Sequence, residues 1–346
     1  MDTEHPSTRW FASDNNASVH PAVIAALQRA NHGHAIAYGD DVITARTLDA
    51  FRDTFGAQSE TFLVWNGTGA NVMAIAAATR PWEGVVCTDL AHIDVDETGA
   101  AEHIAGVKLF TVPGTDGKLT PDAIRDRMLG LGRVHSNLPR LVSISQPTET
   151  GLVYSLDELS ALGGLCRERG LYLHVDGARL ANAAVSLGVG LREAAGPADV
   201  LSFGGTKNGL MFGEAVVFLS PALAQGAGHL RKNVLQLDCK MRYLAAQYEV
   251  YLEDDLWRAN AAHANDMARR LEEAAVGRLG LRLAHPRQAN IVFAELPPGE
   301  IDSVLQNWFF YVDRATRVAR WVCSWDNTIA DVAAFADDLA AAVVRK

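Results

Sequence analysis

Two short segments carry the residues whose types and spacing can do chemistry. In LYLHVDGARLANA an apolar run, Leu171 to Val175, stops abruptly at Asp176-Gly177. In DVLSFGGTKNG a second run, Val200 to Phe203, stops at Gly204-Gly205, and Lys207 follows on the tight loop. A strand that ends in a carboxylate and a glycine delivers that carboxylate to the edge of a sheet, where loops build sites. An acid and an amine at the ends of two strands, joined by a helix-length connection, can share one crevice. A pyridoxal phosphate (PLP) site needs that pair: a lysine for the Schiff base and an acid on the pyridinium nitrogen. The plainer alternative is that Asp176 caps the next helix and Lys207 is a solvated turn residue. These two segments alone leave both open.

The elements that must position such a pair are legible in the pattern. Pro21 to Ala30 reads as a helix, with Pro in its first turn and Val23, Leu27 and Ala30 on one face. Thr44 to Phe55 is a second, stopped by Gly56. The strand Thr61–Trp65 runs into Asn66-Gly67-Thr68-Gly69-Ala70-Asn71, which opens a helix to Ala78. A glycine turn there leaves backbone N–H groups aimed along the helix axis, ready for phosphate. Strands follow at Val85–Thr88, Lys108–Val112 and Leu141–Gln146, with helices from Gly99, at Pro121–Leu129 and at Leu156–Arg169. Glu214–Leu219 reads as an antiparallel return. Such alternation predicts an α/β fold, a mostly parallel sheet between helices. Lys240–Glu253 and Ala259–Ala275 read as long helices, the second leaving the sheet domain; strands at Ala289–Glu295 and Arg320–Trp325 and a helix Ile329–Val344 make a smaller α+β unit. The expected division is an N-terminal segment 1–20, a large domain 21–255 and a small domain 256–346.

Composition narrows the function classes. At 346 residues, 49% of them hydrophobic, the chain can bury a large core, yet no apolar run spans a bilayer. MDTEHPSTRW lacks the basic start and apolar stretch of a signal peptide. A net charge of −10 argues against nucleic acid as a partner. Cys87, Cys166, Cys239 and Cys323 show no C-x-x-C spacing, and the 11 histidines form no H-E-x-x-H, so no metal is expected and a reducing cytoplasm is. A dinucleotide fold is the rival from another class: Asp89 ends a strand 20 residues after Gly69, where a ribose-binding acid would sit. Against it, Val72 stands where G-x-G-x-x-G requires its third glycine.

FASDNNASVHP, HVDGARLANA, SFGGTKNG and SWDNT are spread over nearly the whole chain. The sequence resembles the L-threonine aldolases of the aromatic amino acid beta-eliminating lyase group, PLP enzymes of the aspartate aminotransferase-like fold (fold type I). SQPTETGLVY and KMRYLAAQ are similar to words of the low-specificity bacterial branch. The resemblance implies Lys207 as Schiff-base lysine, Asp176 as partner of the pyridine nitrogen and Arg179 near the cofactor's phenolic oxygen. It implies Gly67, Thr68 and Gly69 as the phosphate loop, Arg242 as a further phosphate ligand and His92 stacked over the ring. Ser13 and Arg320 match residues holding the substrate α-carboxylate, with Arg179 in the same group, and Tyr38 lies in a loop that approaches the site.

One departure bears on the substrate. Where many of these aldolases carry E-N-T-H, this chain reads Ser145-Gln146-Pro147-Thr148-Glu149, so Glu149 takes the histidine position. Either His92 acts with water, or Glu149 takes part, or the β-substituent specificity differs. The expected reaction is retro-aldol cleavage of L-threonine or L-allo-threonine to glycine and an aldehyde, with His92 as first choice of base. Phenylserine cleavage and β-elimination are the rivals on the same scaffold. The resemblance also implies a homo-oligomer, dimer or tetramer, with sites at the subunit interface.

Overall fold

A computed structural model gives the architecture for residues 10–130, 133–297 and 301–343. Seven strands form the main sheet: β1 (Glu60–Val64), β2 (Glu83–Thr88), β3 (Lys108–Val112), β4 (Leu138–Ser145), β5 (Tyr172–Gly177), β6 (Val200–Gly204) and β7 (Glu214–Phe218). Their spatial order is β1-β7-β6-β5-β4-β2-β3. From β6 to β3 every pairing is parallel, and β7 runs antiparallel to both β6 and β1. The central strands are apolar on both faces because both are covered. Val86, Val142, Leu173 and Val175 pack with Phe51, Leu162 and Leu244 from one helical layer. Val85, Cys87 and Leu141 pack with Met73 and Ile75 from the helix Gly67–Ala78 on the other.

Helix ends fall where the sequence supplies caps. Asp41 accepts hydrogen bonds from the N–H groups of Ile43 and Thr44, starting the helix Val42–Phe55 before the expected Thr44. Ser155 and Glu158 form a reciprocal capping box for Leu156–Arg169, and Gly170 ends that helix at φ 65°.

This topology removes the dinucleotide reading. That reading needs β1 and β2 side by side in a parallel βαβ unit, but β1 is an antiparallel edge strand and four strands separate it from β2. Asp89 instead accepts a hydrogen bond from Gly114 N at 3.1 Å, pinning the loop beyond β3.

A second sheet is wholly antiparallel: β8 (Arg282–Leu283), β9 (Ile291–Glu295), β10 (Tyr311–Val312) and β11 (Val318–Val322), in the order β10-β11-β9-β8. Arg320 lies in the middle of β11 rather than at its start. The helix Leu256–Glu272 joins the two units physically. Its Trp257 and Ala261 belong to the large core, and its Met267, Ala268 and Leu271 to the small one. Phe11 also belongs to the small core, and Val322 N donates to its carbonyl at 2.8 Å. Residues 10–20 therefore tie into both units, since His20 N also donates to Gly209 O beyond β6 at 2.9 Å; residues 1–9 of the expected segment 1–20 and the helix end at Val344 lie outside the described residues. Among the described residues no helix is long and apolar enough to cross a membrane, and no group of three His, Cys, Asp or Glu side chains is placed to hold a metal.

Candidate active site

The carboxyl ends of β4, β5 and β6, the start of the helix Gly67–Ala78 and the single turn His92–Val95 enclose one cleft. Asp176 enters it from the end of β5, 9% exposed. Its Oδ1 accepts from Ala178 N at 3.0 Å, and its Oδ2 accepts from Asn71 Nδ2 at 2.8 Å. Beneath it His174 sits between Ser143 Oγ and Ser202 Oγ, each 2.9 Å away; burial pushes its imidazole down to about 4, so the ring is neutral at pH 7.

Lys207 is held on a 3-10 turn, Thr206–Asn208, that the helices behind it fix. Asn208 Nδ2 donates to Tyr251 Oη at 2.8 Å and to Trp257 O at 2.9 Å, while Asn260 Nδ2 donates to Asn208 O. Close approach of the two strand ends requires Gly204. A Cβ there would stand 2.6 Å from Ala178 O and 2.8 Å from Glu214 Oε2. The Arg179 charge and burial together lower the Lys207 amine below its ordinary value, outweighing Asp14, Asp176 and Glu214. A lowered amine has a larger neutral, nucleophilic fraction at neutral pH. Glu214 is pushed up to about 7 by burial, with Lys207 opposing.

His92 begins its short turn. Its backbone N–H donates to Glu149 Oε1 at 3.0 Å, and its Nδ1 lies 2.8 Å from Glu97 Oε1. The Glu97 hydrogen bond raises the imidazole above its ordinary value, against burial. Glu149 Oε1 also accepts from Ser145 Oγ at 2.6 Å, and burial raises its carboxyl. Glu149 thus lines the cleft while holding the His92 turn.

Arg179 forms a bidentate pair with Asp14: Nε to Oδ2 at 2.6 Å and Nη2 to Oδ1 at 2.9 Å. Asn290 Nδ2 adds a bond to Asp14 Oδ2 at 3.1 Å, so one carboxylate binds the large unit to the small one. Burial pushes the Asp14 carboxyl up, but Arg179 wins and holds it below the usual range. Arg320 approaches from β11, its Nη2 3.5 Å from Ala12 O beside Ser13, and its buried Nε has no partner. Burial, then repulsion from Arg179, lowers its guanidinium from the ordinary arginine value. Ser13 caps the turn Asp14–Asn16, its Oγ accepting from Asn15 N at 3.2 Å.

Of the glycine turn, Gly67 lines the cleft with Asn71, and Asn66 Oδ1 takes the Gly69 N–H at 2.8 Å. Thr68 stands between them in the same first turn. The space a side chain at Gly69 would need is filled by Gln236. Tyr38 and Arg242 are not brought to the cleft within the chain. Tyr38, at φ 65° and 50% exposed, lies under the Lys232 ammonium; Arg242 reaches Gly33 O and Tyr243 Oη. Both belong to the loop and helix start outside the sheet edge.

Four residues of this site escape the sequence reading or lose their role in it. Asn71, Asp14 and Ser145 stand in its motifs without a site role, and for Glu97 the sequence leaves open a hydrogen bond within the site or an ordinary place near a helix start. Asn71 alone left a trace: it is a polar residue in the otherwise apolar run ANVMAIAAA, at 1% exposure.

A mostly parallel sheet with an acid and a lysine at neighbouring strand ends, completed by a small antiparallel domain, defines the aspartate aminotransferase-like class. The aspartate aminotransferase of Thermus thermophilus superposes with a TM-score of 0.69 over 94% of this chain and 89% of its own, at 15% identity, which speaks to fold alone. Within that class the chain belongs to the beta-eliminating lyase family, whose sequence model matches residues 11–297. It is 43% identical over 341 residues to a low specificity L-threonine aldolase of Pseudomonas aeruginosa, covering 97% of this chain and 98% of the relative. A threonine aldolase structure from Leishmania major superposes with a TM-score of 0.92 at 33% identity, over 96% and 99% of the two chains.

Proposed function

We propose that this chain is a PLP-dependent aldolase that cleaves L-threonine, L-allo-threonine and related L-β-hydroxy-α-amino acids to glycine and an aldehyde. The observation that carries the reading is the convergence of Lys207, Asp176 and His92 on one cleft beside the first turn of the helix Gly67–Ala78. The donor set fits the cofactor. A buried carboxylate suits a protonated ring nitrogen, a lowered amine suits a carbonyl, and the first turn at Gly67 and Thr68 suits a phosphate. PLP, when bound, supplies an electrophilic carbonyl for amines and a ring that takes up the electron pair released as the Cα–Cβ bond breaks.

The chain's own residues do the rest. Arg320, with its unpartnered Nε, and Arg179 receive the α-carboxylate, and Ser13 retains its hydroxyl hydrogen for the same anion. Against two guanidinium groups, Asp14 leaves one net positive charge for one carboxylate. Fixing the carboxylate selects which Cα bond lies across the ring. His92 takes the β-hydroxyl proton through Nε2, since Nδ1 is committed to Glu97. Glu149 shapes the wall against which the β-substituent rests.

Tyr38 and Arg242 serve the site of a second copy in this reading. Their loop also exposes Ile36 at 69% and Val42 at 73%, the apolar surface an association would cover. The four free cysteines suit a reducing cytoplasm. Purified protein supplied with PLP and L-threonine or L-allo-threonine should release glycine and acetaldehyde in equal amounts. Ammonia with a keto acid would instead establish β-elimination.

A further inference from the structure

The cleft contains a buried polar chain that the reaction described above does not require. Glu97 has a fully buried side chain, and its Oε1 receives both His92 Nδ1 and Asn71 Nδ2 at 2.8 Å. The same Asn71 nitrogen stands 2.8 Å from Asp176 Oδ2. Asn71 therefore bridges two carboxylates, Asp176 at the end of β5 and Glu97 in the segment between the helices His92–Val95 and Ala100–Ala105. Glu97 Oε2 and Asn71 Oδ1 are both buried without partners. A buried carboxylate is costly unless hydrogen-bonded or paired with a cation, and here the His92 ring, a cation when protonated, lies 2.8 Å from its bonded oxygen.

We propose that Glu97 and Asn71 are positioning residues for His92: Glu97 grips the ring through Nδ1 and presents Nε2 to the cleft, and Asn71 ties that carboxylate to Asp176. The arrangement has the logic of a buried acid that orients a histidine base and stabilises the imidazolium formed when it takes a proton. Asn71 moderates it. By donating to Glu97 it withdraws part of the negative charge that His92 feels, and by donating to Asp176 it makes the two ends of the site respond to each other. The groups facing His92 are Glu97, Asp176 from β5, Lys207 from the loop after β6, and Glu149 from the turn after β4. Asp94 and Asp96 lie on or beside its own turn. Lys207 opposes the acids, and Glu97 makes the strongest contribution.

The proposal rests on the reading of His92 as the proton acceptor, but its test needs no turnover. The His92 ring is titrated by NMR in the full-length protein labelled at histidine, with the signal assigned from the His92→Asn variant. Glu97→Gln should lower the His92 midpoint by about one pH unit or more. Asn71→Ala should move it upward, because Glu97 loses a donor that draws charge from it. A merely structural role for either residue produces no such opposed pair. An unchanged midpoint in Glu97→Gln, or a downward shift in Asn71→Ala, overturns the proposal; should Glu97→Gln not fold, the Asn71→Ala titration decides alone. If the midpoints move as stated and no glycine forms from any β-hydroxy amino acid, the polar chain stands and the aldolase reading falls.

Discussion

Replacing Asp14 by Asn tests the joint between the two units most severely. Asp14 is 1% exposed and holds Arg179 at 2.6 and 2.9 Å, with Asn290 on the same carboxylate. Asparagine keeps the shape and removes the charge, leaving the part-buried guanidinium of Arg179 beside that of Arg320. Breaking a buried pair by removing one partner costs about 3–5 kcal/mol, and the partial exposure of Arg179 places this pair at the lower end. At the lower end this is roughly a 100-fold change in the ratio of folded to unfolded chain. Urea unfolding at pH 7, monitored by circular dichroism, should show the midpoint fall with little change in slope. The pH dependence has a definite sign. The folded carboxyl lies below its ordinary 3.8, so the pair's contribution is complete above the unfolded value and is lost as pH falls through the lower folded one. The stability gap between wild type and Asp14→Asn should therefore narrow as pH falls below 3.8 and through the lowered folded value. A difference under about 1 kcal/mol at pH 7, or one that persists unchanged at low pH, refutes the assignment of this pair as the joint.

His92→Asn should lower kcat by roughly 100-fold or more while cofactor occupancy, read from the visible spectrum, stays near wild type; unchanged kinetics would place the base elsewhere. Arg320→Met should raise KM for the amino acid by about 10-fold or more without loss of bound cofactor, because a guanidinium whose buried Nε has no protein partner is kept for the α-carboxylate in this reading. Mixing inactive Arg242→Ala and Lys207→Ala chains should restore part of the activity if each copy lends Arg242 to another's site. Failure to restore any, with mixed oligomers formed, would confine Arg242 to its own chain.

Much of the frame was legible because local rules set it. Pro21–Ala30 and Leu156–Arg169 begin and end as their caps and periodicity require. Asp176 and Lys207 stood out because a strand that stops at a carboxylate or at paired glycines leaves a local mark. The rest depends on contacts that sequence spacing hides. Asn71 meets Asp176 across 105 positions, and Arg179 meets Asp14 across 165. Sheet order places β1 at an antiparallel edge, which its own residues do not announce. Arg320 reads as a strand start because the apolar residues follow it, yet β11 begins two residues earlier, at Val318. Tyr38 and Arg242 match the family's words, but their backbone stands outside the cleft; motif identity does not specify which copy of a chain a side chain serves.

The central claim is that Lys207 is the amine that carries the cofactor. Borohydride reduction of the PLP-loaded protein, followed by digestion and peptide mass spectrometry, tests it directly. The account predicts one pyridoxyl label, on the peptide containing SFGGTKNG and at Lys207, and a Lys207→Ala protein with neither label nor visible absorbance. A label on another lysine, or full glycine release by Lys207→Ala, would contradict it.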